Sequence, residues 1–180
     1  MKRIFILLLS VFVLTGCSAG CDFRFVLRWG AGQGSVYNSE SGLLIKTRQA
    51  ADPDRFRTVL ELTGKERNEL SALASAIDLA RIPEIPELYD PYSPPGVESG
   101  AREKPTVIVE LTLWTEQGEK HIRCRNGSLL LPDAVSAGGI SPPPFDENGA
   151  AFEAFVRRAL EIILGSEEWL SLPPYEVLVQ

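Results

Sequence analysis

Residues 106–124 read TVIVELTLWTEQGEKHIRC, and this stretch decides the fold. Val107, Val109, Leu111 and Leu113 recur at every second position. Successive side chains of an extended chain point to opposite faces, so this spacing gives a strand over 106–114 with one apolar face. Glu116-Gln117-Gly118-Glu119 supplies a turn, and 120–125 returns with His121, Arg123 and Arg125 on one face and Ile122 and Cys124 on the other. The reading is an antiparallel hairpin with one wet face. Its dry face must be covered by other elements.

The elements that cover it are legible on either side. After a short tether, 23–29 (FRFVLRW) alternates as a strand, and GAGQG at 30–34 breaks it. The glycine run has neither the Lys and Ser/Thr of a phosphate-binding loop nor the spacing of a dinucleotide fingerprint, so it reads as a turn or bulge. Apolar runs at 43–47 and 56–62 flank Asp52-Pro53-Asp54, a turn signal. Thr63 and Glu66 have the spacing of a capping box, and Leu70, Leu73, Ala74 and Ile77 share one face of a helix predicted over 64–80. Residues 83–105 hold six prolines, too many for a helix or a central strand. Tyr89 and Tyr92 in this loop either fold back onto the domain or offer contacts to a partner.

Beyond the hairpin, the proline passage 141–144 leads to a helix predicted over 149–164. Phe152, Phe155, Val156, Ala159, Leu160 and Ile163 form its stripe, and Gly165 stands at its C-terminal cap. Trp169, Leu170 and the tail YEVLVQ are expected to pack as a terminal arm or short strand. The element order is βββα, loop, ββα. That defines an α+β domain over 23–180, an antiparallel sheet of about five strands with two helices on one face.

The amino terminus has a separate logic. Lys2 and Arg3 precede an apolar run over 4–14 interrupted only by Ser10, the pattern of a secretory signal over 1–16. The run is about half the ~20 residues a membrane-spanning helix requires. Leu14-Thr15-Gly16-Cys17 resembles the lipobox of bacterial lipoproteins. The resemblance implies a diacylglyceryl group on the Cys17 sulfur, cleavage before Cys17, and a second acylation of the new amino terminus. Two or more chains give durable attachment where one does not. Residues 17–22 then form the lipidated Cys and its tether. By the same resemblance, Ser18 rather than Asp after the Cys directs the protein to the periplasmic face of an outer membrane where the organism has one. An ordinary secretory signal cut after Ala19 is the alternative.

With Cys17 committed to lipid, Cys21 and Cys124 remain in a compartment where disulfides persist. Two readings stand: a bridge worth up to about 4–5 kcal/mol in the chain-entropy model, or a buried Cys124 and a loose Cys21 thiol. With Lys2 and Arg3 removed, 16 of the 18 basic side chains face 24 acidic ones, a formal charge of minus 8. No basic run offsets this, so nucleic acid is not an expected partner.

Chemistry is sparse. His121, the one histidine, falls on the wet face of the hairpin, with no nucleophile motif beside it. Glu84, Glu87 and Asp90 sit in the loop without an EF-hand register, and two distant cysteines and one histidine lack zinc spacing. No catalytic residue, metal or cofactor is assigned. The expectation is a non-enzymatic domain that binds a protein partner or supports the envelope; an anchored hydrolase using carboxylates is the alternative. The layout also resembles emfourin-type inhibitors of thermolysin-like metalloproteases, through LTGKE at 62–66 opening a helix, the proline-rich loop, the hairpin at 107–124 and a last helix. That likeness implies protease inhibition, with no inhibitory residue matched.

Overall fold

The computed structural model describes residues 23–30, 32, 34–48, 50–85, 87–94, 109–131 and 142–174. Among them run β1 (Arg24–Trp29), β2 (Ser35–Asn38), β3 (Leu43–Ile45), β4 (Arg57–Val59), α1 (Gly64–Ser75), β5 (Val109–Thr115), β6 (Gly118–Cys124), α2 (Glu147–Gly165) and the short α3 (Glu167–Ser171). The strands form one sheet in the order β4-β3-β2-β1-β5-β6, with every neighbouring pair antiparallel. The α+β class is as expected, but the sheet has six strands where the sequence predicts about five.

The additional strand is β2, SVYN. It is only four residues long and lies between the glycine-rich turn and the turn that begins at Asn38. The Asn38 side chain accepts hydrogen bonds from the Glu40 and Ser41 backbones at 2.9 and 3.3 Å, which turns the chain at once. Four residues cannot show much periodicity. Position in the sheet supplies what the pattern lacks: Tyr37 is fully buried and donates its hydroxyl to Leu60 O at 3.1 Å, and Ser35 donates to Lys46 O at 2.7 Å. Gly30 and Gly32, at φ of 83° and 59°, give the β1–β2 connection the left-handed backbone that favours glycine.

The core lies on the face of β1 that carries Phe25, Leu27 and Trp29. Phe25 meets Phe155 of α2 edge-on, ring centroids 5.4 Å apart, and Trp29 packs on Trp169 of α3 at 5.7 Å. Aromatic pairs at such separations add to simple area burial. The predicted α2 stripe, from Phe152 to Ile163, is buried throughout.

Helix ends differ from the periodicity where tertiary partners intervene. The α1 capping box forms: Thr63 Oγ1 accepts from Glu66 N, and the Glu66 carboxylate accepts from Thr63 N. The helix stops at Ser75 and not at 80. Asp78 N–H donates instead to Asn148 Oδ1 at 2.8 Å, and the Asp78 carboxylate caps Ala80 N, starting a 3₁₀ turn at Leu79–Arg81. Gly165 stays helical and is not the left-handed cap expected of it. Ser166 ends α2 in extended geometry, and its hydroxyl accepts from Trp169 N to begin α3. Trp169 and Leu170 are therefore helical and not an arm or strand. The tail 175–180 lies outside the described residues.

Candidate functional site

The proline-rich segment and the first turn of α2 enclose a cleft of about 240 Å³ on the flank of β6. Its walls come from the 3₁₀ turn with Arg81, from 87–91 with Ser93 and Pro94, and from Phe145, Asp146 and Asn148 ahead of and within α2. Each wall has a specific cause. Tyr89 joins the edge of β6: its N–H donates to Arg123 O at 2.9 Å, and Arg125 N–H donates to Tyr89 O at 2.8 Å. Its ring stands edge-on to Phe152 at 5.1 Å. Of the two readings left open for this tyrosine, the folded-back one holds, and Tyr92 also packs half-buried against the core. Burial drives both phenols well above their ordinary pKa.

Proline content has a structural use in this segment. A β6 edge left bare would present unpaired backbone groups to other chains, and a covering segment punctuated by prolines offers few donors of its own. Glu84 reinforces the cover through an ion pair with Lys120, whose side chain is itself largely buried.

Two of the cleft's carboxylates are already engaged. Asp90 accepts from Tyr92 N at 3.0 Å and from Asn126 Nδ2 at 3.1 Å. Asp146 caps α2 by accepting from Gly149 N at 2.8 Å, while its second oxygen accepts from Arg81 at 2.6 Å. Pro91 O accepts from Phe145 N at 2.8 Å, and Gly149 lets the helix approach that carbonyl closely. Against this fixed frame two apolar side chains stay exposed: Phe145, 51% accessible, at the cleft, and Ile85, 47%, in the proline-rich segment. The sequence points to the loop but not to Phe145, which sits outside both the helical stripe and the proline run.

The other predicted residues fall elsewhere. His121 lies exposed on the sheet face opposite the helices, across from Thr112. Glu84 and Asp90 flank the proline-rich segment as structural partners, and Glu87 lies at the cleft wall. Among the described residues, no three His, Cys, Asp or Glu side chains cluster as a metal site, and no helix is long and apolar enough to cross a membrane.

Cys17 and Cys21 lie outside the described residues. Cys124 is a fully buried thiol that donates to Arg125 O at 3.1 Å, and burial, with Asp90 nearby, raises its pKa. Strand register bears on the bridge. Arg24 pairs with Trp114, whereas Cys124 pairs with Val109 at the other end of β5. Arg24 and Cys124 are thus separated by five strand steps, about 16 Å, and by two strand spacings, about 10 Å, or about 19 Å on the diagonal. Three chain links from Arg24 back to residue 21 span about 11 Å at most, and a disulfide tolerates a Cα separation of about 7 Å. Even a fully extended lead aimed straight at Cys124 falls just short of closing that gap. The register favours two thiols.

Residues 1–18 match the family model of the prokaryotic membrane lipoprotein lipid attachment site. Cys17 is the single cysteine within that match. The chain accordingly has the signal of a lipid-anchored lipoprotein of the cell envelope, a domain held to a membrane through a modified cysteine. No curated protein and no solved structure matches the chain, so the emfourin likeness gains no support.

Proposed function

We infer that the domain is a non-enzymatic binding module, held by lipid on Cys17, that engages a protein partner through the cleft beside Tyr89 and Phe145. The observation that carries this is the contrast within the cleft. Of the three carboxylates that line it, Asp90 and Asp146 are committed to structural hydrogen bonds and Glu87 stands exposed at the wall, while Phe145 is exposed at a rim of prolines and tyrosine. A committed carboxylate is a poor general acid or base, because protonation changes would break the frame that holds it. A rigid rim with an exposed aromatic matches what interfaces use as anchors, since little conformational entropy is lost on contact. In an organism with an outer membrane, Ser18 in place of Asp after the acylated cysteine supports the periplasmic face of that membrane as the site of attachment.

The test is a photo-crosslinking residue at position 145 in cells, with position 59 as an exposed control on a far strand. A discrete adduct at 145 and none at 59 is expected. The crosslinked partner, purified, then binds the unmodified domain, and Phe145→Ala weakens that binding at least tenfold without lowering Tm. No adduct at 145, or unchanged affinity in the variant, rejects the cleft as the binding surface. Assay of thermolysin-like proteases with the domain in excess decides the inhibitor version in the same way: undiminished proteolysis removes it.

A further inference from the structure

We propose that the sheet face opposite the helices docks onto an anionic lipid surface, so that the anchored domain lies on its membrane by this face. Alternation along the strands places Arg24 and Arg28 of β1, Glu110 and Trp114 of β5, and Glu119 and Arg123 of β6 on this face. All are half-buried or exposed, whereas the α1, α2 and α3 side chains of the core pack on the opposite face with Phe25, Leu27 and Trp29.

Two observations select a membrane as the occupant. The first is where the chain outside the described residues ends. Seven links separate Cys17 from Arg24, a reach of about 25 Å at most, so a lipid on Cys17 holds β1 within that distance of the bilayer. The strand end nearest the tether carries the Arg24 guanidinium 5.0 Å from the Trp114 ring centroid. Trp and Arg are the pair that bilayer interfaces accept, one end apolar and one charged. The second is charge. The chain as a whole is acidic, and the helix side follows suit: α2 and α3 carry Glu147, Glu153, Glu161, Glu167 and Glu168 against Arg157 and Arg158, while α1 is balanced, with Lys65 and Arg67 against Glu66 and Glu69. The β1–β5–β6 face reverses this balance. Arg24, Arg28 and Arg123 stand there against Glu110 and Glu119, and Glu110 is itself shared between Arg28 at 3.6 Å and Arg123 at 3.1 Å. At the far edge of the sheet, Arg57 is paired with Asp54 and adds little. An anionic surface repels the helix side and attracts this one, and the tether keeps the local concentration high enough for modest attraction to count. The cleft, on the β6 flank and on the helix side, stays clear.

The test uses the lipidated mature protein, its acylation verified by mass so that a failure of docking is distinct from a failure of anchoring. It is reconstituted into phosphatidylcholine vesicles with and without 30% phosphatidylglycerol, each also containing bromine-labelled phosphatidylcholine as a contact quencher of tryptophan. Trp29 and Trp169 are buried in the core, so contact quenching reports Trp114. Expected is quenching in the anionic vesicles, little in the zwitterionic ones, and its loss in Trp114→Phe. Arg24→Gln and Arg123→Gln each lower the docked-to-undocked ratio about fivefold. Raising NaCl to 0.5 M on the unmodified protein abolishes the quenching, a readout independent of whether a variant folds. No quenching, equal quenching in both vesicles, or quenching that survives Trp114→Phe overturns the proposal. So does protection of this face by a protein partner in place of lipid.

Discussion

Replacing Gly149 by Ala tests how the cleft is built, because two effects of opposite sign meet at one atom. Gly149 lies in the first turn of α2, where alanine is favoured over glycine by about 1 kcal/mol in a helix interior. An added Cβ, however, would stand 2.5 Å from Pro91 O and 3.3 Å from Pro91 C, with Pro144 Cβ at 3.4 Å. The obstacle is backbone and cannot rotate away. Relief requires the proline-rich segment to withdraw from the helix, which also strains the 2.8 Å bond from Phe145 N to Pro91 O. Overpacking of this kind costs about 1–3 kcal/mol, and a weakened hydrogen bond adds about 1. The net is a loss of about 1–3 kcal/mol. At about 2–4 °C per kcal/mol for a chain of this size, Tm falls by about 2–12 °C. Gly165→Ala is the matched control. It is also helical, nothing lies within 4 Å of its added Cβ, and it should gain up to about 1 kcal/mol. Thermal unfolding followed by circular dichroism reads both. A Gly149→Ala protein at or above the parent Tm refutes the close approach of helix and segment, and with it the geometry of the cleft.

Other consequences are checked more briefly. Cys17→Ala abolishes incorporation of labelled fatty acid into the protein, and retained label removes Cys17 as the acceptor. Thiol titration of the domain from residue 18, denatured without reductant, gives two thiols, while in the native state the buried, high-pKa Cys124 stays unreactive; a disulfide-linked peptide joining residues 21 and 124 contradicts the register argument. Alkaline stability follows from the tyrosines. Burial raises Tyr37 to about 12, and Tyr89 and Tyr92 move the same way. A folded pKa above the unfolded value near 10 means stability that is complete below pH 10 and is lost as pH rises towards 12. Denaturant midpoints therefore decline between pH 10 and 12, where the denatured chain forms tyrosinate and these phenols of the folded protein do not, and Tyr37→Phe flattens the decline. A midpoint independent of pH in that window contradicts the burial of these phenols.

What the sequence discloses and what it withholds divide along physical lines. The alternation of Val109, Leu111 and Leu113 and the spacing of Leu70, Ala74 and Ile77 report contacts that each element makes with a continuous core, so hairpin and helices are legible. SVYN is too short to show a period. Its place in the sheet is decided by Tyr37 reaching Leu60 O and by pairing with two neighbours. The end of α1 is likewise out of reach, because a residue 70 positions away, Asn148, takes the Asp78 N–H. The lipobox is the opposite case. A signal that proteins of the export pathway must read in an unfolded chain has to be local, and so it stands in plain view. The cleft is half and half: six prolines announce an irregular segment, but only the fold shows Phe145 brought up beside it.

The position of β1 joins the anchor to the architecture. The strand that follows the tether is central in the sheet, paired with β2 on one side and β5 on the other. Pairing with β5 begins at Arg24 itself, opposite Trp114. Phe23, one residue earlier, is already buried against Phe25 and Phe155. Local opening starts at edges and termini with few buried contacts, and β4 with its three residues and exposed Val59 is such an edge. A lipid attached next to β4 would pull on the part of the sheet that opens most readily. Attached a few residues ahead of Phe23, it pulls on side chains that cannot leave the core without global unfolding. The same placement agrees with the docking proposed above, in which the Arg24–Trp114 end of the sheet meets the membrane and the β6 flank, with its cleft, lies to the side.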